Sequence, residues 1–169
     1  GCGRCLRSCP FGAIAKRSGL IPVGKMLHRG EKVVGMIAPA IEGQFEGSLE
    51  QIKKAMKAVG FTEVVEVAEG AKITAEREAK ELMEKKEKGE GYLATSCCPA
   101  WFSLVDKHIP AIRDHISTTL SPMGYTAQLC KERFPGYKVV FIGPCVAKRY
   151  EAATKYPELI DRVLSYGEL

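Results

Sequence analysis

At 169 residues and 18.5 kDa the chain has the length of one domain, or of one domain with a small appendage. Its 46% hydrophobic and 27% charged residues are ordinary for a soluble globular protein, and no stretch approaches the roughly 20 apolar residues that span a bilayer. The net charge of +5 is spread along the chain without a basic stripe interleaved with aromatics, which argues against nucleic-acid binding and suits an acidic partner such as a small electron carrier.

Residues 1–22 carry little apolar periodicity and are rich in Cys, Gly and Pro, so they read as a loop-dominated module. They open on cysteines and have no apolar signal-peptide core, which predicts a cytoplasmic protein. The main domain is expected from about Glu31, where "KVVGMIAPAI" reads as a buried strand running into a loop. Leu49, Ile52, Ala55, Met56 and Val59 recur at helical spacing behind a Ser48 N-cap, and Gly60 stops that helix. "TEVVEVA" (62–68) is strand-like. Residues 71–88 predict a charged helix with Glu76–Lys80 and Glu81–Lys85 pairs. A short strand at 91–96 is expected to deliver Cys97 and Cys98 at its end. Helices at 99–108 and 122–133 follow, then a buried strand at 138–143 that places Pro144 and Cys145 just beyond it, and a last strand at 161–166. Alternating strands and helices predict an α/β fold with a doubly wound, mostly parallel sheet. Pro39, Cys97, Cys98 and Cys145 then fall at strand C-termini, the edge at which such sheets bind ligands.

Seven cysteines, an odd number without a secretion signal, point to metal or redox chemistry rather than to disulfides. "GCGRCLRSCP" reads C-x2-C-x3-C-P, the last three cysteines and the proline of the bacterial ferredoxin run C-x2-C-x2-C-x3-C-P. Cys2 and Cys5 would serve one 4Fe–4S cluster and Cys9 another; a zinc knuckle or unbound cysteines are the competing readings. "ATSCCPAW" (94–101) and "FIGPCVAKRYEA" (141–152) each put a cysteine beside proline at one crevice. Two thiolates from separate segments suit a cluster buried between lobes. Taken alone, Cys145 reads better as a buried structural cysteine, and the plain alternative for Lys148 is a surface lysine on a helix. Cys130 reads as packed core. His28, His108 and His115 have no metal-ligand spacing and read as surface or capping residues.

"TSCCPAW" resembles the first signature of the active-site domain of iron-only (FeFe) hydrogenases, and "GPCVAKRYE" resembles the second, M-P-C-x-x-K-x-x-E. "ISTTLSPM" (116–123) is similar to the family's serine–proline stretch, "IAPA" (37–40) to its early Ala-Pro loop, and "YPELIDRVLSYGEL" (156–169) to the segment after the second signature. The resemblance implies residues 1–22 as the end of a ferredoxin-like 4Fe–4S module and 31–169 as the N-terminal part of the H-cluster domain. That cofactor joins a 4Fe–4S cubane to a two-iron site bearing CO, cyanide and a dithiolate amine. By this resemblance Cys98 and Cys145 are cubane ligands, Cys97 is the thiol that passes protons, and Lys148 hydrogen-bonds an iron-bound cyanide. Ala38, Pro39, Ser121, Pro122, Met123 and Pro144 would lie around the two-iron pocket. Glu78 and Glu81 resemble the glutamates of the proton path, although their gap to the first signature is not standard, and solvated helix carboxylates are the plain alternative.

The chain also departs from the pattern. Gly143 stands where catalytic members have methionine, "STTLSPM" lacks the cysteine and lysine of S-T-C-K-S-P, and Met123 replaces a frequent glutamine. These changes resemble divergent, sensory members. The third signature, E-x-x-A-C-x-G-G-C, is absent before Leu169. The resemblance therefore implies a fragment of a longer protein that interconverts protons and H2, inactive as this fragment alone, with a ferredoxin-type electron carrier and maturation proteins for the two-iron site as partners. A hydrogen or redox sensor and a non-catalytic hydrogenase-like iron–sulfur protein are the alternatives.

Overall fold

A computed structural model describes residues 2–169. Four strands form one parallel sheet in the order β2-β1-β3-β4: β1 (Val33–Ile37), β2 (Glu63–Glu66), β3 (Lys138–Ile142) and β4 (Arg162–Leu164). The two central strands are apolar runs buried on both faces, as a parallel sheet covered by helices requires. Val34, Met36, Val139, Phe141 and Val163 face one core, shared with Met123, Ala127, Ala152 and Tyr156. Val33, Ile37, Val140, Ile142 and Leu164 face the other, against Val23, Ile52, Met56 and Phe61. The sheet is thus doubly wound. Helices α2 (Leu20–His28) and α3 (Leu49–Val59) cover one face, and α6 (Pro122–Arg133) and α7 (Ala147–Lys155) cover the other.

Local chemistry sets the helix ends. Ser48 and Gln51 form a reciprocal capping box on α3, and Gly60 at φ 121° ends it. The long helix α4 (Ala68–Glu87) packs on α6 so closely that a Cβ at Gly70 would collide with the Pro122 carbonyl and Thr126. α5 (Pro99–His108) and α6 both start on proline at the first helical position, where a missing N–H costs nothing.

Two expectations are corrected, the strand at 91–96 and the ion pairs of the charged helix. Residues 91–96 form no strand of the sheet; their one ladder contact is an isolated bridge between Ala94 and Ile116. The Glu78 carboxylate holds that segment as a loop instead, accepting from the Thr95 hydroxyl and the Ser96 N–H. Within residues 1–22, α1 spans Arg4–Ser8 and α2 begins at Leu20, with Val23 buried under the sheet; the other described residues there are loop. On α4 the ion pair within the helix is Lys80–Glu84, while Glu81 turns inward and Lys85 pairs with Glu90. Among the described residues no helix is long and apolar enough to cross a membrane.

Candidate cysteine site

The connection after β1 leads outward to β2 and that after β3 leads outward to β4, in opposite directions, so the C-terminal ends of β1 and β3 flank a topological switch point. Ala38 and Pro39 follow β1 there, with the Ala38 N–H donating to the Ile142 carbonyl at 2.9 Å and the Ala38 carbonyl accepting from the Tyr166 hydroxyl at 2.9 Å. On the β3 side the sheet continues one residue further, as the Gly143 N–H donates to the Leu164 carbonyl at 3.0 Å. Pro144 is exposed, Cys145 is half-buried, and the Cys145 carbonyl accepts from the Lys148 N–H at 3.3 Å as the chain turns into α7. The missing side chain at Gly143 leaves no gap. A Cβ there would stand 2.7 Å from the Phe141 ring and 3.3 Å from the Ala38 Cβ, so the ring already fills that wall.

Cys97 and Cys98 arrive by a different route. With no strand to carry them, polar side chains hold their backbone from both sides. Before the pair, the Glu78 carboxylate accepts from the Thr95 hydroxyl at 2.8 Å and the Ser96 N–H at 3.2 Å, and the Ser96 hydroxyl donates to the Thr119 carbonyl at 2.6 Å. At the pair itself, the Lys148 ammonium donates to the Cys97 carbonyl at 2.9 Å. One residue of α7 thereby ties the Cys145 turn to the Cys97–Cys98 loop. Cys97 is half-buried; Cys98 is exposed and occupies the N-cap of α5. Behind Lys148, Glu151 pairs with the ammonium at 2.6 Å, its side chain 1% exposed.

The two α4 glutamates are loop anchors rather than solvated carboxylates. Glu81 accepts from the Ser117 hydroxyl at 2.6 Å, from the Thr118 N–H and hydroxyl, and from the Thr119 hydroxyl. Burial pushes its pKa upward, but these donors outweigh burial and hold it below the usual glutamate value. Ser121, Pro122 and Met123 open α6. Ser121 is buried, its hydroxyl caps the Gly124 N–H, and its own N–H donates to the Tyr156 hydroxyl at 3.2 Å; Met123 packs in the core beside Tyr156. Their side chains are committed to packing and capping, and they reach α7 through Tyr156.

At the N-terminus Cys2 and Cys5 are exposed and Cys9 caps α1. Backbone N–H groups of Phe11 and Ala13 lower the Cys9 thiol below its ordinary value. Among the described residues no three His, Cys, Asp or Glu side chains converge to hold a metal, so the three do not form a ligand group by themselves. The segment does lie against the site: a Cβ on Gly3 would stand 2.6 Å from the side chain of Val146, the neighbour of Cys145. Cys130 is fully buried in the core, and burial pushes its thiol up to about 12. His28 and His108 are exposed, whereas His115 stacks under Tyr92 at 4.1 Å, a packing role the sequence did not suggest. Thr95, Ser96, Ser117, Thr118, Thr119 and Tyr156 were also missed as site-builders. Isolated hydroxyls carry no periodic signal; Glu151 alone had one, as the glutamate of the K-x-x-E spacing.

Residues 31–169 match the family described as iron only hydrogenase large subunit, C-terminal domain. The chain is 32% identical over 175 residues to the periplasmic [Fe] hydrogenase large subunit of Nitratidesulfovibrio vulgaris, covering 87% of this chain and 41% of that one. It is 27% identical to iron hydrogenase 1 of Clostridium pasteurianum, covering 95% of this chain and 32% of that one. It is 33% identical to the cytosolic Fe-S cluster assembly factor NAR1 of Meyerozyma guilliermondii, over 66% of this chain and 24% of that one. The chain therefore spans less than half the length of these relatives. A solved variant of apo [FeFe]-hydrogenase HydA1 from Chlamydomonas reinhardtii superposes with a TM-score of 0.74 at 23% identity, covering 88% of this chain and 45% of that one, a likeness of fold.

Proposed function

The chain belongs to the iron-only hydrogenase large-subunit family, and from that premise we propose that it carries the first part of an H-cluster site within a longer protein that interconverts protons, electrons and H2. The donor set fits half of a cubane. Cys98 and Cys145, each at the start of a helix, are the two thiolates the chain supplies, and the other two come from outside its 169 residues. The observation that best supports this reading is the Lys148 bridge, which ties the two cysteine segments together although they stand 47 residues apart between Cys98 and Cys145 (145 minus 98).

When bound, the cofactor supplies the redox centre for 2H⁺ + 2e⁻ ⇌ H2. The residues do the rest. Cys97, next to an iron ligand yet not one itself, gives and takes protons through its Sγ. Lys148 offers an N–H to an anionic ligand of iron, a charge-assisted contact. Ala38, Pro39 and Pro144 would bound the two-iron pocket, with Ser121, Pro122 and Met123 at the start of α6 supporting it through packing and capping. Glu78 and Glu81 carry protons toward Cys97 along their hydroxyl partners, Thr95, Ser117 and Thr119. Residues 1–22, with Cys2, Cys5 and Cys9 as cluster ligands, bring electrons from a ferredoxin or a similar small carrier, and the contact of Gly3 with Val146 supports that route. Maturation proteins install the two-iron unit. We place the protein in the cytoplasm.

The test is infrared spectroscopy of the full-length protein after cluster reconstitution and maturation. CO and cyanide bands are expected, and Cys97→Ala should slow turnover greatly while leaving those bands intact. Full turnover in that variant would remove the proton role of Cys97.

A second reading, a non-catalytic iron–sulfur protein or a low-turnover sensor, is favoured by one feature: the Phe141 ring occupies the wall beside Ala38 where Gly143 has no side chain. The relatives named NAR1 are compatible with it. A matured protein with cubane signals but no CO or cyanide bands would establish the non-catalytic form. Bands with slow turnover and a redox-dependent response in an attached domain would establish the sensor.

A further inference from the structure

Glu151 is the only acidic residue that is fully buried among the described residues, at 2% exposed. A carboxylate that deep in a core needs a specific partner, because an unpaired buried charge is strongly disfavoured. Its partner is Lys148, one helical turn earlier on the inward face of α7, at 2.6 Å. The lysine is itself only 14% exposed and spends a second donor on the Cys97 carbonyl at 2.9 Å. An ammonium has three protons. Glu151 and Cys97 take two, and one N–H is uncommitted among the described residues. A lysine side chain alone, with a flexible four-carbon stem, would not hold one direction.

We infer that Glu151 is a positioning residue: its buried carboxylate fixes Lys148 so that the ammonium clasps the Cys97 carbonyl and keeps a single N–H for an anionic ligand of the crevice. The clasp stands on geometry alone. The identity of the anion, an iron-bound cyanide, rests on the proposed function above. Glu151 thus acts on the site only through Lys148, and it also offsets the lysine's charge, so the crevice gains a directed donor without gaining a net positive charge.

The test has two arms in the full-length protein. In the first, Lys148 acylation by acetic anhydride is followed by mass spectrometry without any two-iron unit. Glu151→Met, close in volume and without an acceptor, should raise the Lys148 rate about tenfold, the size of one lost charge-assisted hydrogen bond. Glu151→Gln, which folds more readily and keeps an acceptor oxygen, should fall between that variant and the wild type. Lys131 and Lys138, both bound to Asp161, are internal controls and should not change. An unchanged Lys148 rate in Glu151→Gln, or a parallel rise at all three lysines, would overturn the positioning role. In the second arm the cyanide bands of the loaded protein should shift in Glu151→Gln. Bands present in the wild type but unmoved in the variant would overturn the directed N–H. Bands absent from the wild type would overturn the proposed function instead, and the acylation arm would still decide the clasp.

Discussion

Cys145 and Cys97–Cys98 carry the same chemistry into one site on two different kinds of support. Cys145 follows β3, a central strand of the sheet, with partners on both sides and an apolar core on each face. Cys97 and Cys98 ride on a loop with one isolated bridge, and its position depends on Glu78, Glu81 and Lys148. The first support is cooperative and hydrophobic, so it is insensitive to the loss of any one hydrogen bond. The second is a set of separate charged contacts, each of which can be lost by mutation or by protonation. One cysteine is thus held by the packed sheet, and the other two by polar contacts that single side chains supply.

The largest effect should come from breaking the rigid arm. Phe141→Ala removes a ring that is 3% exposed, packed beside both Gly143 and the core, and should destabilise the domain by about 3–5 kcal/mol in urea unfolding. Gly143→Met attacks the same place from the other side, because its Cβ has no room beside the ring; it should be tolerated only together with Phe141→Ala. If Gly143→Met alone left stability unchanged, the ring would not be filling that wall.

The difference between the arms also explains what could be read in the sequence. β1 and β3 announce themselves as the runs "VVGMI" and "KVVFI", helices α5 and α6 by proline after a capping position, and α3 by Ser48 and Gly60. Apolar pattern and end signals are local, so local reading finds them. The segment 91–96 departs from the strand expected of it because "GYLATS" has the residue types of a strand, while its pairing is settled by distant groups. Glu78 holds Thr95 from 17 residues away, Glu81 holds the neighbouring Ser117 from 36 residues away, and no local pattern encodes such contacts. The cysteines, Lys148 and the proline flanks were visible as motifs. The hydroxyls and Tyr156 that position them were not, because single Ser, Thr and Tyr residues are common everywhere.

Breaking the polar arm should leave the sheet intact. Glu81→Ala strands the donors of 117–119 and should cost about 2 kcal/mol locally. Amide hydrogen exchange should rise across 117–119 and at Ser96–Cys97, with β1 and β3 unchanged; equal loss of protection in the strands would erase the distinction between the arms. Acid should do the same. The folded-state pKa of Glu81 lies below its ordinary 4.5, so its contribution is complete above 4.5 and is lost as pH falls through the lowered value.

The rigid arm has one acid-sensitive clamp of its own, which sharpens the comparison at lower pH. Glu168 accepts from the Ser165 N–H and hydroxyl and the Ser18 hydroxyl and pairs with Arg149 of α7. Burial alone would raise its pKa, but these donors outweigh burial and bring it from 4.5 down to about 2. Its contribution is therefore full above 4.5 and disappears as pH falls to about 2, later than that of an unperturbed glutamate. Hydrogen exchange at residues 16–19 and 165–168 should increase in that window. If those residues opened near pH 4.5 like an ordinary carboxylate contact, the clamp would not exist.

The smallest effect should be the most local. Thr95→Val removes the 2.8 Å hydroxyl contact to Glu78 and the acceptor that the Cys97 N–H reaches at 3.4 Å, and it keeps the side-chain shape. Thr95 is exposed, so water replaces most of what is lost, and global stability should change by less than about 1 kcal/mol. Glu78 still holds the Ser96 N–H, and Lys148 still holds the Cys97 carbonyl, so the loop should stay in place with one of its restraints gone. The expected readout is faster exchange of the Cys97 amide with little change at Ser96. If instead Ser96 and Cys97 both lost all protection, the loop would depend on this single hydroxyl, and Glu78 and Lys148 would not be sufficient to hold the cysteine pair.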